Sequence, residues 1–264
     1  MTSPVRIHGI GARADIIVEP GTQGAEADAE LRARLEHLWR RCLVDDDVPG
    51  APVRVALAES DDGMHAAHPN ADVLCSRITQ AVTRELLGQR IGERILLHAG
   101  CVAHPVTGAA LVMVAPGGTG KTTLVRGLAR EYAYVTDESV ALDASGTITP
   151  YPKPLSIVGL GSGHKGEQSP NDAGLVELRT QPTLRSLVLL ERDSQDSDEA
   201  RVEELSLLDG IEALAAQSSS LHKVPEPLQQ MARITDLVDG VRRWHYSQWE
   251  SLLPLAHELL GDVE

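Results

Sequence analysis

Nine residues, Ala115 to Thr123, read A-P-G-G-T-G-K-T-T and join an apolar run, Ala109-Ala-Leu-Val-Met-Val114, to Leu124-Val-Arg-Gly-Leu-Ala-Arg130, which has helical spacing. A strand, a glycine turn and a helix in that order constrain this chain more than any other feature. Glycines at 117, 118 and 120 let the backbone curl until successive N–H groups face one point, and a helix starting there adds its positive end, so the turn suits an anion. In a phosphate-binding loop of this kind Gly117, Gly118, Thr119, Gly120, Lys121, Thr122 and Thr123 surround nucleotide phosphates. Lys121 reaches the outer phosphates and the Thr122 hydroxyl ligates magnesium. The usual pattern begins with Gly where this chain has Ala115, a methyl that the loop tolerates if the residue keeps a negative φ.

The residues downstream decide which chemistry such a loop serves. Ala133 to Thr136 reads as the next buried strand after a single crossover helix, which sets Asp137 and Glu138 at its carboxyl end. Ligands of α/β sheets bind where strands end. Of two adjacent carboxylates there, one can hold magnesium in an oxygen-only shell and the other can accept a proton from an attacking hydroxyl. Ser139 to Asp143 and Thr147 to Thr149 flank Ala144-Ser-Gly146 as a hairpin. A hairpin where most nucleotide folds place a helix predicts a mixed sheet.

From Ile91 to Ile157 the chain resembles HPr kinase/phosphorylase and its relatives, among them the kinases encoded with ribosomally made peptides such as lasso peptides. The resemblance rests on His98 in I-L-L-H-A-G-C-V-A, then the loop, then T-D-E, then P-Y-P-K-P-L-S-I, in that order and spacing. It implies a P-loop kinase core with a mixed sheet, ATP and magnesium as cofactors, and a Ser or Thr hydroxyl of a peptide or protein as acceptor. His98 matches a histidine that lies near the phosphates. Asp137 matches the first acid of the family's Asp-Asp pair, the proton acceptor, and Glu138 stands in place of the second, on magnesium. Lys153 matches a basic position that could offset charge on the transferred phosphoryl group; a surface salt bridge is its other reading. The glycine-rich HPr-docking signature is missing, which points to another acceptor. A small hydroxylated metabolite as acceptor, or a nucleotide-dependent switch without transfer, are the alternatives.

The remaining sequence divides at about residue 90. Residues 1–90 read as a small α/β portion and residues 91–264 as the catalytic domain. In the first, Asp15 to Glu19 and Val53 to Leu57 read as strands around a helix, Asp28 to Leu43, with Leu31, Leu35, Leu38, Trp39 and Cys42 on one face. A second helix from Ala71 carries Leu74, Ile78, Val82 and Leu86 at four-residue steps and is expected to end at Gly88. The stretch Gly159-Leu-Gly-Ser-Gly-His-Lys-Gly166 either closes over the nucleotide or receives a substrate through His164 and Lys165, or simply connects. Leu187 to Leu190 reads as a core strand, Glu191 to Glu204 as a solvated acidic loop, and three helices follow, with a short strand at Arg243 to Ser247.

Composition narrows the partners. A formal charge of −14 over 264 residues disfavours nonspecific nucleic-acid binding, which depends on neutralising phosphates. Only Lys121, Lys153, Lys165 and Lys223 are lysines, and three of the four fall near the expected site. Cys42, Cys75 and Cys101 show neither disulfide nor zinc spacing, and His65 and His68 lack a third ligand. No signal peptide or membrane-length apolar run is visible, so a cytoplasmic location without membrane partners is expected, with homo-oligomers possible by resemblance.

Overall fold

The structure, a computed structural model, describes residues 3–160, 165–193 and 199–263. The chain begins with β1 (Val5–Gly9), β2 (Ala12–Val18), α1 (Ala25–Leu38), β3 (Ala51–Ala56), β4 (Ala66–Ala67) and α2 (Ala71–Arg90). Next come β5 (Ile95–Ala103), β6 (Ala109–Val114), α3 (Lys121–Leu128), β7 (Ala133–Thr136), β8 (Ser139–Leu142) and β9 (Ile148–Thr149). Then β10 (Leu155–Val158), β11 (Lys165–Gln168), β12 (Thr183–Arg192), β13 (Arg201–Glu204), α4 (Leu207–Ala216), α5 (Pro227–Asp236), β14 (Arg242–Tyr246) and α6 (Leu253–Leu260) complete a mixed α/β chain.

Two compact units form, Met1–Arg90 with Pro152–Ala173, and Ile91–Tyr151 with Gly174–Glu264. Residues 152–173 belong to the unit that holds residues 1–90. They pair as the β10–β11 hairpin, and β11 lies along α2. Glu167 of β11 accepts hydrogen bonds from Ser76 and Thr79 of α2 at 3.0 and 3.1 Å. A buried carboxylate needs such donors, and no local sequence pattern shows where they come from.

In the first unit β1 and β2 are antiparallel, and β2, β3 and β4 run parallel in the order β1-β2-β3-β4. The predicted stripes are the buried ones: Leu31, Leu35, Leu38, Trp39 and Cys42 after and along α1, and Leu74, Ile78, Val82 and Leu86 along α2. Gly88 does not end α2, which continues to Arg90. A glycine inside a helix costs only about 1 kcal/mol, which a helix of 20 residues with a packed stripe absorbs.

The second unit is built on a sheet ordered β13-β14-β12-β6-β5-β8-β9, with β7 also paired to β5. β6, β12 and β14 run parallel; β5 is antiparallel to β6. β7 and β8 follow one another along the same edge of β5, the first opposite Cys101 to Ala103 and the second opposite Ile95 to His98. They act as one long strand interrupted at Asp137 and Glu138. The predicted β8–β9 hairpin and mixed sheet are present.

Alternation divides this sheet's faces. Ile95, Leu97, Ala99, Cys101 and Ala103 of β5 join a core with Leu214 of α4 and Met231 and Ile234 of α5. Gly100 points the other way, where a Cβ would meet Val125 of α3, so α3 packs on the opposite face. Gly127 of α3 is required by close approach: a Cβ there would lie 2.2 Å from the Trp249 ring.

The acidic run at 191–204 is not wholly a loop. β12 continues to Arg192, and β13 pairs antiparallel with β14, where Glu203 binds Arg243 and His245. An edge strand keeps much of its surface in solvent, so charged residues suit it and obscure its strand character. Among the described residues, no helix is long and apolar enough to cross a membrane.

Candidate active site

β6 delivers the chain into a turn at Ala115 and α3 takes it up at Lys121. Gly118 and Gly120 have φ of 83° and 98°, in the left-handed region that side chains disfavour. Gly120 is the N-cap of α3 and supplies no side-chain cap, so the first N–H groups of the helix remain open to another acceptor. A Cβ on Gly117 or Gly118 would meet nothing within 4 Å. The loop is therefore approachable from outside. Thr119 closes its base by donating to Pro116 O at 2.8 Å, and Thr123 is exposed on the first turn of α3.

Lys121 is 7% exposed and donates to the carbonyls of Ala115 and Pro116. The ammonium is held by the loop's own backbone, the partners a buried charge requires. Burial lowers its pKa from 10.5 to about 8, against the opposing pull of Glu138 and Asp137. A polyanion at the loop would favour the charged form and raise this pKa, so binding above pH about 8 must take up a proton. Nucleotide affinity is thus expected to be flat at lower pH and to fall as pH rises past that value. Calorimetry in buffers of different ionisation enthalpy reads the proton uptake directly, and affinity independent of pH up to 10.5 would contradict it.

Asp137 is 2% exposed and receives two neutral donors: Thr122 Oγ1 on Oδ2 at 3.0 Å and Tyr134 OH on Oδ1 at 3.1 Å. The first bond ties the start of α3 to the interruption between β7 and β8. Glu138 is half-buried, and its backbone carbonyl accepts from Ala99 N–H at 3.0 Å. Its charge acts on both Lys121 and His98 more strongly than that of Asp137. His98 is half-buried on β5, and its pKa lies below the ordinary value because of burial first and Lys121 second. The imidazole is therefore predominantly neutral at pH 7.

Sequence reading missed two residues at this place. Tyr246, at the end of β14, donates its hydroxyl to Thr119 O at 2.8 Å and buttresses the loop. Burial raises its pKa, so the hydroxyl stays a donor. Tyr246→Phe removes one such bond, worth about 0.5–1.5 kcal/mol, and is expected to weaken nucleotide binding by roughly 2- to 10-fold with the melting temperature little changed. A large loss of stability with unchanged affinity would assign Tyr246 to packing. Gln217, following α4, lies across from His98, whose N–H donates to Gln217 O at 2.8 Å. The alternation of Arg243 to Ser247 signalled a strand, but nothing signalled its partner.

Lys153 and Lys165 belong to the first unit. Lys153 is fully buried, donates to Pro154 O at 3.0 Å and draws the Glu167 carboxyl downward in pKa against the larger, raising effect of burial. Lys165 is exposed at the start of β11, and His164 lies outside the described residues. His65 Nδ1 accepts from Arg54 N–H and His68 Nδ1 from Asn70 N–H. Among the described residues, no three His, Cys, Asp or Glu side chains converge as a metal site. Cys101 is buried and its thiol pushed up by burial, the state of an inert core cysteine.

Thr122 and the two carboxylates offer hard oxygen ligands of the kind magnesium takes when it keeps waters and shares a phosphate. The open N–H groups at the head of α3, with Lys121 beside them, suit that phosphate. The fold and this constellation are those of a mixed α/β protein whose glycine turn is tied, through Thr122, to an acid pair.

No family model matches the sequence, and no curated protein matches it. Among solved structures the chain is similar to the Hpr(Ser) kinase/phosphatase from Coxiella burnetii, at 15% identity over 62% of this chain and 92% of that one, with a TM-score of 0.33. A likeness that distant carries nothing about chemistry, which rests on the residues themselves.

Proposed function

We propose that the chain is a kinase that binds ATP with magnesium at the 115–123 loop and transfers the γ-phosphoryl group to a Ser or Thr hydroxyl of a peptide or protein. The observation that carries this reading is the hydrogen bond from Thr122 to Asp137, which joins the head of α3 to the acid pair beside Lys121. Bound magnesium would neutralise phosphate charge there. The loop amides and Lys121, released from its carbonyls, hold the phosphates. Positioning and charge account for most of the acceleration in such reactions.

The geometry favours a division of labour opposite to the one the resemblance implies. Asp137 is buried and bonded to Thr122, so it belongs on the magnesium side. Glu138 is the more accessible carboxylate and the one nearer in charge to Lys121 and His98, so it takes the proton of the attacking hydroxyl. His98, predominantly neutral, can donate a hydrogen bond to phosphate or acceptor without repelling either.

The test is transfer of label from γ-labelled ATP to a Ser/Thr-containing peptide library, against the same library with alanine at those positions. Label on the first library alone supports the kinase. ATP consumed at one rate with both, and label released only as inorganic phosphate, would instead make this a nucleotide-dependent switch.

A further inference from the structure

Tyr134 and Asp137 lie three residues apart, yet their side chains meet: the Tyr134 hydroxyl donates to Asp137 Oδ1 at 3.1 Å. Regular alternation along a strand sends residues i and i+3 to opposite faces and would keep them apart. A β-bulge in β7 brings them together. Ala133 and Tyr134 oppose Ala103 and Val102 of β5, but Thr136 opposes Cys101, which leaves Val135 as an extra residue. Val135 joins the core that holds Cys101, on the α4 and α5 side of the sheet. Val102 alternates with Cys101 and so shares the face of Gly100, on which α3 lies. Tyr134, opposite Val102, is on that face with Thr122, and the added residue returns the chain to it at Asp137. Thr136 Oγ1 accepts from the N–H groups of Glu138 and Ser139 at 3.4 Å each and braces the interruption that follows.

The bulge matters because of what the hydroxyl does to the acid. An Asp carboxylate turns easily about its last torsion, whose wells are broad and two-fold. A single bond from Thr122 to Oδ2 would leave the group room to rock. A second bond, from Tyr134 to the other oxygen, fixes its plane, and Tyr134 is fully buried, so packing holds the donor itself in place. A carboxylate with a fixed plane presents its lone pairs in set directions, as a cation that demands near-octahedral geometry requires. Phe would fill the same space without the cost of burying a hydroxyl.

We propose that Tyr134 is a positioning residue of the nucleotide site, holding Asp137 in the orientation that takes magnesium. The inference rests on the reading of the loop and acid pair given above as a site for ATP with magnesium. Tyr134 touches neither nucleotide nor acceptor in this role; it acts through Asp137.

ATP affinity of the full chain is measured by calorimetry without magnesium and at saturating magnesium, in the wild type and in Tyr134→Phe. The two ligands are linked, so weaker metal binding appears as a smaller gain in ATP affinity between the two conditions. That gain is expected to shrink roughly 10-fold in Tyr134→Phe, the scale of one hydrogen bond to a charged group, with the magnesium-free affinity within about 2-fold of wild type. Asp137→Asn loses the gain as well, and adding Tyr134→Phe to it costs nothing further. Tyr134 replaced by 4-aminophenylalanine, which keeps a weaker donor in the same space, falls between wild type and Tyr134→Phe and serves where the Phe variant does not fold. In either variant a gain equal to the wild type's overturns the proposal while leaving the nucleotide site standing, as do losses that add in the double variant or a wild type whose ATP affinity magnesium leaves unchanged. No ATP binding by the wild type removes the site and the proposal together.

Discussion

Lys121→Ala is expected to abolish phosphoryl transfer and cut ATP affinity while leaving the fold in place. Hydrogen bonds to a charged group contribute about 1.5–3 kcal/mol, which is roughly 10- to 100-fold in affinity. Removing a donor from a developing charge costs about 10²–10³-fold in rate. Among the described residues the side chain donates to the Ala115 and Pro116 carbonyls of its own loop, so its loss loosens the loop and spares the core. Stability has its own signature. With the folded pKa at about 8 and the ordinary value 10.5, the unfolded chain holds the extra proton between those limits, so wild-type stability rises with pH across that window. The Ala variant lacks that rise. Urea titrations across the window and calorimetry with ATP check both halves, and equal affinity and activity in the two proteins would remove the loop from the mechanism.

Glu138→Gln keeps the shape of the side chain but removes its basic lone pair. Transfer is expected to fall by about 10²–10⁴-fold, the scale of general acid–base contributions, with ATP binding and the magnesium requirement unchanged. Asp137→Asn acts differently. It weakens the acceptor for Thr122 and Tyr134 and removes ligand charge, so the magnesium concentration needed for half-maximal activity rises. Magnesium titrations of both variants, with turnover measured at saturation, separate these effects. The reverse pattern would return Asp137 to the role of proton acceptor that the resemblance assigns it.

The Ala115 to Thr123 turn is legible in the sequence because its chemistry is local: glycines at positive φ, a lysine and a threonine at the head of one helix. The buried stripes of α1 and α2 and the β8–β9 hairpin are legible for the same reason, since a helix or hairpin repeats over a few residues. The two adjacent carboxylates are legible in the sequence, but the bond from Thr122 to Asp137 and their unequal burial are not, since both come from contacts between distant segments. Lys153 illustrates the opposite limit: a conspicuous lysine by composition, it is fully buried and donates to Pro154 O.

What the sequence by itself determined is an α/β chain with a mixed sheet, an anion-suited turn and two carboxylates downstream of it. Tertiary structure alone decided which residues complete that place. Tyr246 meets Thr119 across 127 positions, and Gln217 meets β5 across a similar separation. Pairings of this length leave no periodic trace, because each strand shows only its own alternation, and the identity of its neighbour is set by how the whole sheet buries its two faces.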